Sequence, residues 1–139
     1  MQFTKNPQSN ILSDIGPLYH EFSFFGVKNE QISDHYVQNQ KAKAPIITAY
    51  IAHARAKCEV KSDLTPPSFT ELFCADGYYA MMAGRLGCSP SFGIDNNGEK
   101  HLEKAEIIAS RIGLEECNFI CSEITEESAF EQTDIVANL

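Results

Sequence analysis

The stretch Glu71–Ala80, ELFCADGYYA, decides how this chain is read. It has the outline of a strand handing over to a helix through a nucleotide-binding turn, yet it holds a single glycine, Gly77. Aligned to an acidic-x-Gly-x-Gly-x-Gly turn, Glu71 takes the acidic position, Phe73 and Ala75 the first two glycine positions, and Gly77 the third. Gly77 lets a helix pack close to its strand, and Ala75 keeps a small side chain where backbone and ligand approach. Phe73 is the bulky exception.

The flanking sequence supports a strand and a helix on either side of this turn. Phe69 to Cys74 is an apolar run of strand length, and Tyr79, Met82, Ala83 and Leu86 recur at helical spacing before Gly87 stops the helix. SFGID, residues 91–95, reads as a second buried strand. Leu102, Ala105, Ala109 and Ile112 form the apolar face of a second helix that ends at Gly113. NFICS (118–122) gives a third strand and DIVANL (134–139) a fourth. Strands alternating with helices over short links imply parallel strands joined by right-handed crossovers, an open α/β sheet flanked by helices.

In such sheets, ligands bind outside the carboxyl ends of the strands. Asp95 closes the second strand 18 residues after Gly77, near the roughly 20-residue interval at which an acidic residue takes up ribose hydroxyls. Its carboxylate accepts two hydrogen bonds from a vicinal diol, and Asn96 follows it. Glu123 follows the third strand, where a carboxylate accepts from an adenine amino group while Ile124 offers an apolar body to the ring. Three strands thus end in acidic residues.

Upstream, the texture is different. Residues 1–64 read as a tail and helical cap, and residues 65–139 as the ligand-binding α/β domain, divided at the polar, double-proline link EVKSDLTPPS (59–68). The first ten residues are a polar tail. Residues 11–26, broken at Gly16-Pro17, form an irregular element packed on something larger. Ser33 caps a helix starting near Asp34, and Pro45 opens a separate second helix with Ile47, Tyr50, Ile51, Ala54 and Cys58 on one face. The aromatic residues of this half, Tyr19 and Tyr36 among them, cement the cap to the sheet or form a lid and acceptor wall over the ligand.

Composition bounds the function. The net charge of −8 is uneven: residues 1–64 carry seven basic against six acidic side chains, residues 65–139 four against thirteen. The acidic half repels phosphate backbones, which favours a small-molecule partner over nucleic acid. Five scattered cysteines and no signal-peptide pattern suit a reducing cytoplasm. No apolar run approaches the roughly 18 to 20 residues that span a bilayer, so no membrane partner is expected. Cys117 and Cys121 have no matching second pair, and no metal site is expected. His20, His35, His53 and His101 are isolated in sequence, His101 on a solvated helix face, and none is marked as a general base.

This constellation resembles the class I S-adenosylmethionine-dependent methyltransferases. The resemblance rests on ELFCADGYYA, FGIDNN and NFICSEI, with FEQTDIVANL similar to the fourth strand, and it covers Phe69 to Leu139. It implies a Rossmann-like sheet of about four strands in the order 3-2-1-4, with S-adenosyl-L-methionine as cofactor and S-adenosyl-L-homocysteine as product. The methionine part would lie on Glu71 and the Phe73–Gly77 loop, the ribose on Asp95, and adenine on Glu123. Asn138, after the fourth strand, would face the acceptor. Family members continue beyond that strand with further helices and three more strands. The fourth strand's free edge is therefore expected to be covered by a further C-terminal region or by a second copy in a homo-oligomer. Two other readings stand beside methyl transfer: a non-catalytic methyltransferase-like binding module, and an NAD-type nucleotide-binding domain, against which the missing glycines count.

Overall fold

The computed structural model describes residues 13–59 and 65–139. The expected polar tail over residues 1–10 and the centre of the link, residues 60–64, lie outside them. Four parallel strands, β1 (Phe69–Leu72), β2 (Ser91–Asp95), β3 (Cys117–Cys121) and β4 (Ile135–Asn138), form one sheet in the order β3-β2-β1-β4. This is the expected 3-2-1-4 order. Between the strands run α2 (Tyr78–Arg85) and α3 (His101–Arg111), each close to the span that its periodicity predicts.

β1 lies between β2 and β4, pairing Glu71 with Gly93 on one side and Ala137 on the other. A strand flanked on both sides and covered on its faces must be apolar or internally satisfied. Phe69, Thr70 and Glu71 are accordingly all buried. β4 is an edge strand. Its start is fixed by Asp134, whose carboxylate accepts from the Ser68 amide (2.9 Å) and hydroxyl (3.0 Å), while the Asp134 amide donates back to the Ser68 hydroxyl (3.0 Å).

The helix after β1 explains why the cap exists. Tyr78 through Ala83 are all buried, so α2 is apolar nearly all round and needs cover on the side away from the sheet. Leu18, Phe22, Val27 and Ile51 supply it, joining Phe69, Met81 and Ile108 in a single hydrophobic cluster. The irregular element expected before residue 26 is two short 3-10 turns, Ser13–Ile15 and Ser23–Phe25. The arm that follows closes on itself: the Leu18 amide donates to the Glu30 carbonyl (2.8 Å), and the Ile32 amide to the Leu18 carbonyl (2.9 Å).

Three local expectations are corrected. The two cap helices are one, α1 (Asp34–Glu59), which runs through Pro45. An interior proline costs about 3 kcal/mol, but both halves of this helix are anchored. Gln40 exchanges two hydrogen bonds with the Glu21 backbone (2.7 and 2.8 Å), and Ile51 is buried in the core beyond the proline. Tertiary contacts outweigh the missing bond. Tyr50, assigned to the buried face, is 70% exposed, because the inward stripe follows Ala44, Ile47 and Ile51. His101, assigned to a wet face, is buried together with Leu102 in the first turn of α3. Ser33 does cap α1, its hydroxyl accepting from the His35 amide at 3.2 Å.

Candidate functional site

The turn after β1 keeps a glycine conformation without the glycines. Phe73, Ala75 and Gly77 have φ of 59°, 48° and 73°, the three positions at which the aligned motif carries glycine. For a non-glycine residue this left-handed backbone costs on the order of 1 to 2 kcal/mol. Such outliers persist only where surrounding bonds over-determine them. Here the Cys74 amide donates to the Ile94 carbonyl (3.0 Å), the Ala75 amide to the Asp95 carboxylate (3.0 Å) and the Gly77 amide to the Cys74 carbonyl (2.8 Å). Glu71 accepts from the Ala80 amide at 2.8 Å, tying the start of α2 back to β1.

Gly77 is required by packing as well as by φ. A methyl group built on it would lie 2.2 Å from Cε1 of Phe119 in β3, and one built on Gly93 would lie 2.9 Å from Cδ1 of the same ring. The Phe119 ring occupies the space that two side chains would fill.

A cavity of about 640 Å³ opens at the carboxyl ends of β1 and β2, within the size range of small-molecule sites. One wall is the sheet side: Glu71, Phe73, Ala75, Asp95 and Asn96 all line it. The other is the cap, with Tyr19 and Tyr36 stacked at a centroid distance of 4.2 Å and with Asn39 and Lys43 from α1. Gly77 supports the turn from behind. Glu123, Ile124 and Asn138 are not among the lining residues, whereas Leu139 is. Glu123 is exposed beyond the end of β3. The Phe73 ring is 53% exposed and borders the cavity instead of turning into the sheet.

Electrostatics divide the lining groups. Burial holds the Glu71 carboxyl well above the ordinary carboxylate range, outweighing the Ala80 amide, and Asp76 and Asp95 push it the same way. Burial raises the Cys74 thiol far above its usual range and the Tyr79 phenol to about 12. Tyr19 is raised by burial and by its neighbours Tyr36, Asp76 and Glu99. These phenols and this thiol keep their protons at neutral pH. Asp95 uses each carboxylate oxygen once, one for Ala75 and the other for the Asn97 amide (2.9 Å). An ionised carboxylate has about four acceptor sites, so both oxygens can still take a diol.

Sequence reasoning misses two groups at this cavity. His20 is held by Asp76, 56 positions away, through contacts that no local spacing signals. His101 places Nε2 3.0 Å from Glu99, and its Nδ1 is buried without a hydrogen-bond partner among the described residues. A buried polar nitrogen left unsatisfied is costly. Comparison with known protein families, with curated proteins and with solved structures gives no match.

Proposed function

We propose that the cavity binds S-adenosyl-L-methionine and that the chain is a methyltransferase acting on a small-molecule acceptor. The observation that carries the reading is the turn: three alternate residues in left-handed backbone, two of them not glycine, braced by Asp95 and Glu71 at the cavity mouth. Strain of this kind concentrates where a ligand must approach the backbone. The lining fits the cofactor: a carboxylate for the ribose at Asp95, small Ala75 under the chain, and polar Asn96 further along. With Glu123 and Ile124 outside the cavity, adenine would meet the segment that follows β2.

The bound cofactor would supply an electrophilic methyl group. The protein's part is to align the acceptor with it and to exclude water, and proximity and orientation are large terms in such transfers. The cap performs this role: Tyr19 and Tyr36 close one side of the cavity, and Gln40 holds the arm that carries Tyr19. Among the described residues no helix is long and apolar enough to cross a membrane. Among the described residues no cysteine forms a disulfide, which suits the reducing cytoplasm that this reading assumes. β4 pairs on one side only, with β1, and its other edge suits cover by a further segment or a second copy.

A second reading, a non-catalytic module, draws on one observation: the exposed Phe73 ring borders the space where the cofactor's amino-acid part would lie. Calorimetric titration separates the readings. S-adenosyl-L-homocysteine should bind the wild-type chain, and Asp95→Ala should weaken binding by about 1 to 3 kcal/mol, the usual penalty for unsatisfied partners. A folded wild-type chain that takes up no S-adenosyl-L-homocysteine would sink methyl transfer, and binding of NAD in its place would favour a nucleotide-binding domain.

A further inference from the structure

The cavity has one side chain with an accessible proton-accepting nitrogen and a buried carboxylate behind it. His20 lies in the arm between the two 3-10 turns. Its backbone amide donates to Asp76 at 2.8 Å and its ring Nδ1 sits 2.6 Å from the other oxygen of the same carboxylate. Asp76 is fully buried in the turn after β1, and the His20 side chain is 12% exposed. The ring plane is set by aromatic neighbours: Tyr78 stacks on it at 4.9 Å, and Tyr19 and Tyr79 meet it edge-on at 5.1 and 5.5 Å. A carboxylate only accepts, so Nδ1 carries a proton, and in the neutral ring Nε2 keeps its lone pair. His20 lines the cavity, and its Nε2 makes no hydrogen bond among the described residues.

Several other lining groups are already committed. Tyr19 and Tyr79 hold their protons, Glu71 is sealed on the Ala80 amide, and Asp95 braces the turn. His101 turns Nε2 to Glu99 and buries Nδ1.

We propose that His20 and Asp76 form a proton-accepting pair on the cavity wall, serving an acceptor whose nucleophilic hydroxyl, amine or thiol loses a proton on methylation. The inference rests on the methyl-transfer reading. The acceptor heteroatom forms a bond to the methyl carbon as the carbon–sulfur bond breaks, its electron pair staying on sulfur, and the acceptor's proton passes to Nε2. Asp76 is the positioning residue: it fixes the tautomer and faces the imidazolium that results, the general logic of a carboxylate behind a histidine base.

Nitrogen-proton correlation NMR of the full chain, labelled and saturated with S-adenosyl-L-homocysteine at about pH 8, above the ordinary histidine range, reads the tautomer directly. The expected result is a His20 ring protonated at Nδ1 and bare at Nε2, with Asp76→Asn moving the population toward the Nε2 proton. In the same complex, diethyl pyrocarbonate should modify His20 in the wild type, several-fold faster than in Asp76→Asn. A wild-type Nε2 proton or an inert His20 would overturn the pair. Failure of the wild type to bind S-adenosyl-L-homocysteine would instead remove the methyl-transfer reading on which the pair rests.

Discussion

Replacing Gly77 with alanine tests how the turn is packed against the third strand. The new methyl group would lie 2.2 Å from Cε1 and 2.9 Å from Cζ of Phe119, with the backbone held at φ 73°. The left-handed backbone costs alanine about 1 to 2 kcal/mol, offset by about 0.4 to 1 kcal/mol of entropy that alanine removes from the unfolded chain. Forcing the ring aside adds about 1 to 3 kcal/mol. The expected net loss is about 1 to 4.5 kcal/mol, read as a lower urea midpoint with an unchanged slope. A cycle with Phe119→Ala separates the two contributions. Without the ring, Gly77→Ala should cost only the backbone remainder, about 0 to 1.6 kcal/mol. If it costs the same in both backgrounds, the ring is not what Gly77 makes room for. A loss well under 1 kcal/mol in the wild type would refute the packing argument outright.

Two further outcomes follow from the same turn. The folded state binds the Glu71 proton more tightly than the unfolded chain does. Its stability should therefore be fullest below the ordinary carboxylate value of 4.5 and decline as pH rises toward the raised value, by up to about 1.4 kcal/mol per pH unit. Glu71→Gln keeps an acceptor for the Ala80 amide and should flatten that decline; parallel denaturation curves for the two proteins between acid and neutral pH would contradict it. Phe73→Gly relieves left-handed strain at a half-exposed site but loosens the unfolded chain, so stability should stay within about 1 kcal/mol of wild type. If the Phe73 ring obstructs the ligand, S-adenosyl-L-homocysteine should bind the glycine variant more tightly in the same calorimetric titration.

The sheet was legible in the sequence because each of its elements carries a local signal. The apolar runs at 69–74 and 91–95, the helical spacing from Tyr79 to Leu86 and the stop at Gly113 all depend on residues near one another. The alignment of Phe73, Ala75 and Gly77 to glycine positions was legible too, and all three adopt positive φ. Pro45 misled because its missing amide is a local signal, while what keeps α1 continuous is remote: Gln40 on the Glu21 backbone and Ile51 in the shared core. His101 misled in the same way, its charged neighbours suggesting a wet face that the packing of α3 does not expose at that position.

The sequence alone determined the order of elements, their types, the strand ends that carry Glu71 and Asp95, and the asymmetric charge. These follow from periodicity and turn chemistry within a few residues of each position. Only the tertiary structure decided what stands opposite those strand ends. It stacked Tyr19 on Tyr36, laid Phe119 across Gly77 and Gly93, and brought His20 to Asp76 across 56 positions of chain. The physical reason is that α2, apolar nearly all round, must be covered on both sides. The segment that covers it brings its own polar and aromatic groups to the mouth of the sheet.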